Sequence, residues 1–378
     1  MMSSMSSTTK LGVQSMRIAW VSYGFLEYSV AHANVMADSN DVLLMLPEQN
    51  EDSIELQVSK RIDYRPFKKP RLRQPLRQWF SIRSLLKNID EFRPDIVHLQ
   101  QGHLWFNFAL RSLRRKYPVV ITIHDPRYHA GDIESQKTPQ WITDYGFRQA
   151  DHIIVHGKAL ATQVQSLIGT PNDRLHVIPH ISICPKPTEM QIVPEEPKNV
   201  LFFGRIWEYK GLDYLIEAEP LITARHPDVK IVIAGRGEDF SKYQSKMTHP
   251  ERFEVLNRWI SPEEQASLFQ RASIVVLPYT EATQSGVVPV AYEFGKPVVA
   301  TSVGALPECV TDGTTGLLVP PRDSASLAKA IIALLEDPGR RHAMGEAGRT
   351  WLESVAAPRP VVDATLQTYL QAIESRRI

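Results

Sequence analysis

Only two cysteines, Cys184 and Cys309, occur in 378 residues, so neither a disulfide framework nor a four-cysteine zinc site can be built. A reducing cytoplasm is the expected setting. No sign of charge dominates: 43 Lys and Arg face 42 Asp and Glu, a formal charge of +1, which argues against a dedicated nucleic-acid binder with its domain-wide basic excess. No run of about 18 apolar residues could span a bilayer, and residues 1–15, rich in Ser, Thr and Met, lack the apolar stretch of a signal peptide. Glycine is sparse at 19 residues while 43% of the chain is hydrophobic, a balance that excludes fibrous and disordered classes and allows two sizeable cores.

What is present is an alternation. Short β-branched runs (Ile18–Val21, Asp41–Met45, Asp95–Leu99, Val119–Ile123, His152–Val155) are separated by longer amphipathic stretches, and a second series follows at Asn199–Phe203, Val229–Ile233, Phe253–Leu256, Ile274–Leu277, Pro297–Ala300 and Leu317–Val319. Runs apolar on both faces between helical periods predict parallel sheets covered by helices, that is, an α/β chain of two doubly wound domains. The four prolines of Pro185–Lys198 mark the linker. The expected division is a disordered tail at 1–15, domains at 16–190 and 191–359, and a last helix at 360–378 that crosses back to the first domain.

Ligands of doubly wound sheets bind beyond the carboxyl ends of the strands. Several common chemistries are absent there: no G-x-G-x-x-G follows the first strand, and there is no G-x-x-x-x-G-K-[ST], G-x-S-x-G, Asp-x-Asp pair or H-E-x-x-H. A dinucleotide, a P-loop phosphate, an acyl-enzyme and a metal-held diphosphate all lose their usual ligands. Two segments remain. Phe203-Gly204-Arg205-Ile206-Trp207-Glu208-Tyr209-Lys210-Gly211 follows a strand and offers two cations, Arg205 and Lys210, beside a turn that Gly204 lets approach a ligand closely. Pro278 to Val288 follows another buried strand, and Ser285, Gly286 and Val287 can begin a helix whose free N–H groups face a phosphate. Two cations and a helix start suit a diphosphate without a metal, although solvated loop charges would have the same sequence.

These segments, with Ala234-Gly235-Arg236-Gly237, Gly295-Lys296-Pro297 and the run from Gly304 through Glu308 and Asp312-Gly313 to Pro320, resemble the retaining glycosyltransferases of family 4, of GT-B fold. The first domain adds the Gly24 loop and Ile123-His124-Asp125-Pro126. The resemblance implies two Rossmann-like domains facing a cleft and a UDP- or GDP-linked sugar as donor substrate, with no other cofactor and no metal. A sugar would pass, with retention, to a glycan or lipid-linked acceptor. It implies that Arg205 and Lys210 hold the diphosphate, that the Gly286 and Val287 amides hold its distal phosphate, and that Arg258, Trp259 and Ile260 run along the base. Gly24, Gly204 and Ser285 complete the donor site, Glu281 stands by the sugar hydroxyls, and His124 reaches the cleft mouth. The family's two glutamates are separated by seven residues, whereas Glu281 and Glu293 are separated by eleven, and Val290 falls near the second position. A nucleotide-sugar epimerase of the same fold and a non-catalytic nucleotide-sugar binder stay open.

One stretch stands outside this pattern. Lys60 to Lys87 holds ten Lys and Arg against Asp63 alone, interleaved with Phe67, Leu76, Trp79 and Phe80. Such a segment can dock on anionic lipid at about 1 kcal/mol per cation, or be a solvated face. The first alternative predicts a peripheral position on the inner face of the membrane.

Overall fold

The structure is a computed structural model that describes residues 15–48, 57–128, 138–183 and 191–377. The tail at 1–14, Cys184 and the linker portion 185–190 lie outside the described residues. The first sheet contains β1 (Arg17–Ser22), β2 (Asp41–Met45), β3 (Asp63–Tyr64), β4 (Ile96–Gln100), β5 (Val119–Ile123), β6 (His152–Val155) and β7 (Leu175–Val177), in the order β3-β2-β1-β4-β5-β6-β7. The second contains β8 (Asn199–Phe203), β9 (Lys230–Ala234), β10 (Phe253–Leu256), β11 (Ile274–Leu277), β12 (Val298–Thr301) and β13 (Gly316–Val319), in the order β10-β9-β8-β11-β12-β13. Every pairing is parallel. This is the expected α/β architecture of two Rossmann-like domains. Strands β3 and β7, two and three residues long at the rim of the first sheet, were not legible as runs because so short a segment carries no period.

Each sheet is covered on both faces, which is why its strands read as continuous apolar runs. Ile231, Ile233 and Val276 face the helices Leu212–Arg225 and Ser324–Glu336, while Val232, Val275 and Leu277 face the opposite layer with Phe269 and Tyr292. Local caps set where these helices begin: Ser261 accepts the Glu264 N–H at 3.2 Å, and Asp323 the Ser326 N–H at 2.9 Å.

The C-terminal helix, Pro358–Glu374, buries Val361, Val362, Leu366, Tyr369 and Ala372 in a cluster with Ile18, Trp20 and Ile96 of the first sheet. Each large apolar side chain so buried contributes about 1.5–3 kcal/mol, enough to hold the crossing. A second tie is polar. The Glu308 carboxylate accepts the N–H groups of Lys158 at 2.8 Å and Ala159 at 3.0 Å, capping the helix Lys158–Ile168 of the other domain. An anion at this positive helix end gains from the dipole as well as the hydrogen bonds.

The strand order reverses between β1 and β4 and again between β8 and β11. At such a switch point the two outgoing loops part to opposite sides and leave a crevice. The loops after β8 and β11 are the two segments singled out by their chemistry.

Candidate active site

A cavity of about 290 Å³ opens at the second sheet's switch point, lined by Gly204, Arg205 and Lys210 from one loop and by Thr283, Ser285, Gly286 and Val287 from the other. The backbone locks the loops together: the Thr280 N–H donates to the Tyr209 carbonyl at 2.9 Å. Gly211 makes the fit possible. It has φ +67°, and a Cβ there would stand 1.9 Å from the Pro278 carbonyl oxygen, so only glycine permits this turn.

The loop contact seats Lys210 over aromatic faces, its Nζ 3.7 Å from the Tyr279 ring centroid and 5.0 Å from that of Tyr209. Arg205 donates from Nη2 to the Tyr209 hydroxyl at 3.0 Å. Burial, and next the nearby Arg205 charge, draw the Lys210 ammonium down to about 7, with Asp125 opposing. A desolvated cation above an electron-rich ring is poised to gain from an anion placed beside it. Across the turn, Ser285 is buried and its hydroxyl lies 3.3 Å from the Val287 N–H and 3.5 Å from the Tyr279 hydroxyl.

The first domain supplies the facing wall through Phe25 and Asp125. The Asp125 carboxylate accepts a hydrogen bond from the Thr283 hydroxyl and so joins the domains across the cleft. Its turn is set by Gln101, whose Oε1 accepts the His124 N–H at 2.9 Å and whose Nε2 donates to the Asp125 carbonyl at 2.8 Å.

His124 departs from the expectation that it reaches the cleft mouth. Its side chain is fully buried under Phe25, with the rings stacked at 3.8 Å, and it shares a 2.8 Å hydrogen bond from Nε2 with Gln100 Oε1. Burial, and then the fields of His156, His180, His32 and His98, hold it well below the ordinary histidine range, so the ring is neutral. The reason is steric. Phe25, with φ 54°, turns its ring over the strand end and takes the place facing the cleft.

Other candidates fall at different distances from the cavity. Gly24 lies beside Phe25, at the edge of the cleft. Arg258 is exposed and paired with Glu264 through contacts of 2.7 and 2.6 Å, Trp259 is 69% exposed, and Ile260 is buried in the second core. None of these three lines the cavity. Gln265, one turn into the following helix, does. Glu281 is exposed beyond the lining set, and Glu293 ends the helix Val287–Glu293. Val290, at the position noted for lacking a glutamate, lines the cavity with an apolar side chain. Asp125, Tyr279 and Gln265 were missed as site residues. Asp125 could have been found from its place directly after a strand, whereas Gln265 carries no local signal.

Comparison with known proteins agrees with this geometry. Residues 197–337 match the family described as Glycosyl transferases group 1, and residues 32–181 that described as Glycosyltransferase Family 4. Glycogen synthase of Mycobacterium tuberculosis is 29% identical over 296 residues, covering 76% of this chain and 71% of that protein. Alpha-D-kanosaminyltransferase of Streptomyces kanamyceticus is 27% identical over 291 residues, covering 70% and 75%. Among solved structures, sucrose-phosphate synthase of Thermosynechococcus elongatus superposes with a TM-score of 0.76 at 17% identity, covering 95% of this chain and all of that one. HepE of Anabaena, in complex with UDP and glucose, superposes with a TM-score of 0.72 at 18% identity, covering 93% and 99%. Fold and relatives define a GT-B enzyme of nucleotide-sugar-dependent glycosyl transfer. The chain belongs to the family 4 glycosyltransferases.

Proposed function

We propose that this enzyme moves a hexose from a UDP- or GDP-linked donor to a hydroxyl of a glycan or lipid-linked acceptor, with retention and without a metal or other cofactor. The observation that carries the reading is the pair Arg205 and Lys210 facing the Ser285–Val287 turn across one cavity. As the bond from the anomeric carbon to phosphate breaks, negative charge grows on the departing diphosphate, and two cations with the Gly286 and Val287 amides meet it. Retention follows if the acceptor attacks from the face the diphosphate leaves, with a phosphate oxygen taking the acceptor proton. Glu281, on the rim, is assigned to the sugar hydroxyls, and Asp125 stands closer to the reacting centre than His124. UDP is favoured over GDP by the Anabaena structure of similar fold, which holds UDP and glucose. Among the described residues no helix is long and apolar enough to cross a membrane. We assign to the exposed Leu76, Trp79 and Phe80, beside Arg73 and Arg83, a peripheral docking role on anionic lipid at the cytoplasmic face.

The donor is tested by thermal shift against UDP-, GDP-, ADP- and CMP-sugars. A ligand at 100 times its Kd stabilises the folded state by about 2.7 kcal/mol, so one base is expected to raise Tm by several degrees and the others not. No shift with any of the four would sink the donor reading. Glu281→Gln is expected to lower kcat/KM more than Glu293→Gln, and the reverse ranking would assign the sugar contact to Glu293.

A further inference from the structure

A larger cavity, about 860 Å³, lies in the first domain between the segment after β3 and the helix Pro75–Phe92, along which its lining runs as far as Asn88. Lys68, Lys69, Arg71 and Arg77 line it, Phe80 forms an apolar wall, and among the described residues Glu48 is the one carboxylate that lines it. The rest of the basic stretch is in part engaged elsewhere: Arg61 pairs with Asp38 at 3.3 Å, Arg65 with Asp63 at 2.7 Å, and Lys87 with Glu91 at 3.6 Å. Among the described residues no carboxylate pairs with any of the four wall cations. Burial holds the Lys69 ammonium below its ordinary value, as expected of a cation with no anion to offset its lost water.

The position matters as much as the charge. Lys69 donates from Nζ to the Tyr23 carbonyl at 2.6 Å, and the Trp105 indole donates to the Leu72 carbonyl at 2.8 Å. Tyr23 follows β1 and Trp105 follows β4, so one rim of the cavity, the Lys69–Leu72 segment, is tied to the loops that leave the first sheet's switch point, while the lining itself comes from the segments after β2 and β3 and from the helix. One residue, Gly24, separates Tyr23 from Phe25, a wall of the transfer cleft, a span of at most about 7 Å of chain. At that bridge the backbone is uncovered, since a Cβ on Gly24 would meet nothing within 4 Å.

We propose that this cavity holds a phosphate group of the acceptor, which is therefore a phosphate-bearing sugar, free or lipid-linked, laid over Gly24 with its reacting hydroxyl in the cleft. The inference rests on the reading of the cleft as the transfer site. A phosphate monoester matches the charge better than a carboxylate: it brings about −1.5 to −2 at neutral pH to four cations that, among the described lining residues, face one glutamate. Its oxygens also suit the forked donors of Arg71 and Arg77.

The test is a calorimetric titration of the UDP-saturated protein with α-glucose 1-phosphate, with glucose, and with glucose 1-phosphate in the presence of phosphatidylglycerol vesicles, for the wild type and for R71Q/R77Q. Glucose 1-phosphate is expected to bind and glucose not, and the double substitution is expected to weaken the binding tenfold or more while UDP affinity is unchanged. Competition by vesicles would show that lipid-borne phosphate is accepted, and its absence that the source is soluble. Equal binding of glucose and glucose 1-phosphate, or undiminished binding by the variant, overturns the proposal. So does binding of vesicles without any binding of glucose 1-phosphate, which would leave only a membrane-docking face. Failure of the wild type to bind UDP strikes the reading of the cleft instead, and the contrast between wild type and variant still decides the phosphate site.

Discussion

Replacing Lys210 with alanine is expected to lower kcat by about 10²-fold or more, on the scale of removing one preorganised donor to a developing anion, while leaving the fold intact. Arg205→Ala should act in the same direction. The reason for so large an effect lies in where Lys210 sits. Its ammonium is held over Tyr279 and drawn down to about 7 by burial and by Arg205, so much of its interaction with an anion is realised only when charge arrives beside it. A bound diphosphate restores the cationic form, so binding takes up a proton. Donor affinity is therefore expected to fall as pH rises from about 7, by up to tenfold per pH unit until the bound-state value is passed, and Lys210→Ala should remove that dependence. Steady-state kinetics and UDP titrations between pH 6.5 and 8.5 measure both effects. Wild-type turnover in a folded Lys210→Ala protein would remove this residue from the diphosphate site.

The second large effect is acid lability of the first domain. His32, His98, His124 and His156 are buried in one aromatic cluster with Trp20 and Tyr28. Burial pushes His32 and His156 down to about 3 and holds His98 and His124 well below the ordinary range. Folded, these rings stay neutral; unfolded, each takes a proton below about 6.5. The stability they permit is thus present above pH 6.5 and lost as pH falls toward the folded values, because the unfolded chain binds more protons. At pH 5.5 each ring costs about 1.4 kcal/mol, and the four together about 5.6 kcal/mol, comparable with the whole stability of an ordinary domain. Urea unfolding followed by tryptophan fluorescence should show a midpoint that collapses between pH 7.5 and 5.5. A midpoint independent of pH across that interval would mean that the imidazoles are already solvated or charged in the folded protein.

Much of this molecule was legible in its sequence because parallel strands buried on both faces leave unbroken apolar runs. The eleven runs read from Ile18 to Val319 are strands, and only the short edge pieces β3 and β7 escaped. The cavity of the second sheet was legible for a related reason: Arg205, Lys210 and Ser285–Val287 each lie in one short segment after a strand, so proximity along the chain stands for proximity in space. Where that equivalence fails, the reading failed too. His124 does follow a strand, yet whether its ring faces the cleft depends on Phe25, about a hundred residues earlier, whose backbone conformation turns an aromatic ring over it. The Arg258 side chain is similarly claimed by Glu264, while Gln265 on the same helix reaches the cavity.

The sequence by itself determined the two α/β domains, the two cations of the loop after β8 and the absence of usual metal and dinucleotide motifs, since periodicity, composition and strand-end loops are local properties. Only the tertiary structure decided which side chains share a cavity. It set Asp125 across from Thr283 and Glu308 on the helix Lys158–Ile168, and brought Glu48 to the cations of the basic stretch. These are contacts between segments far apart in the chain, selected by the packing of whole sheets and helices, and no local pattern encodes which distant partner will claim a given side chain.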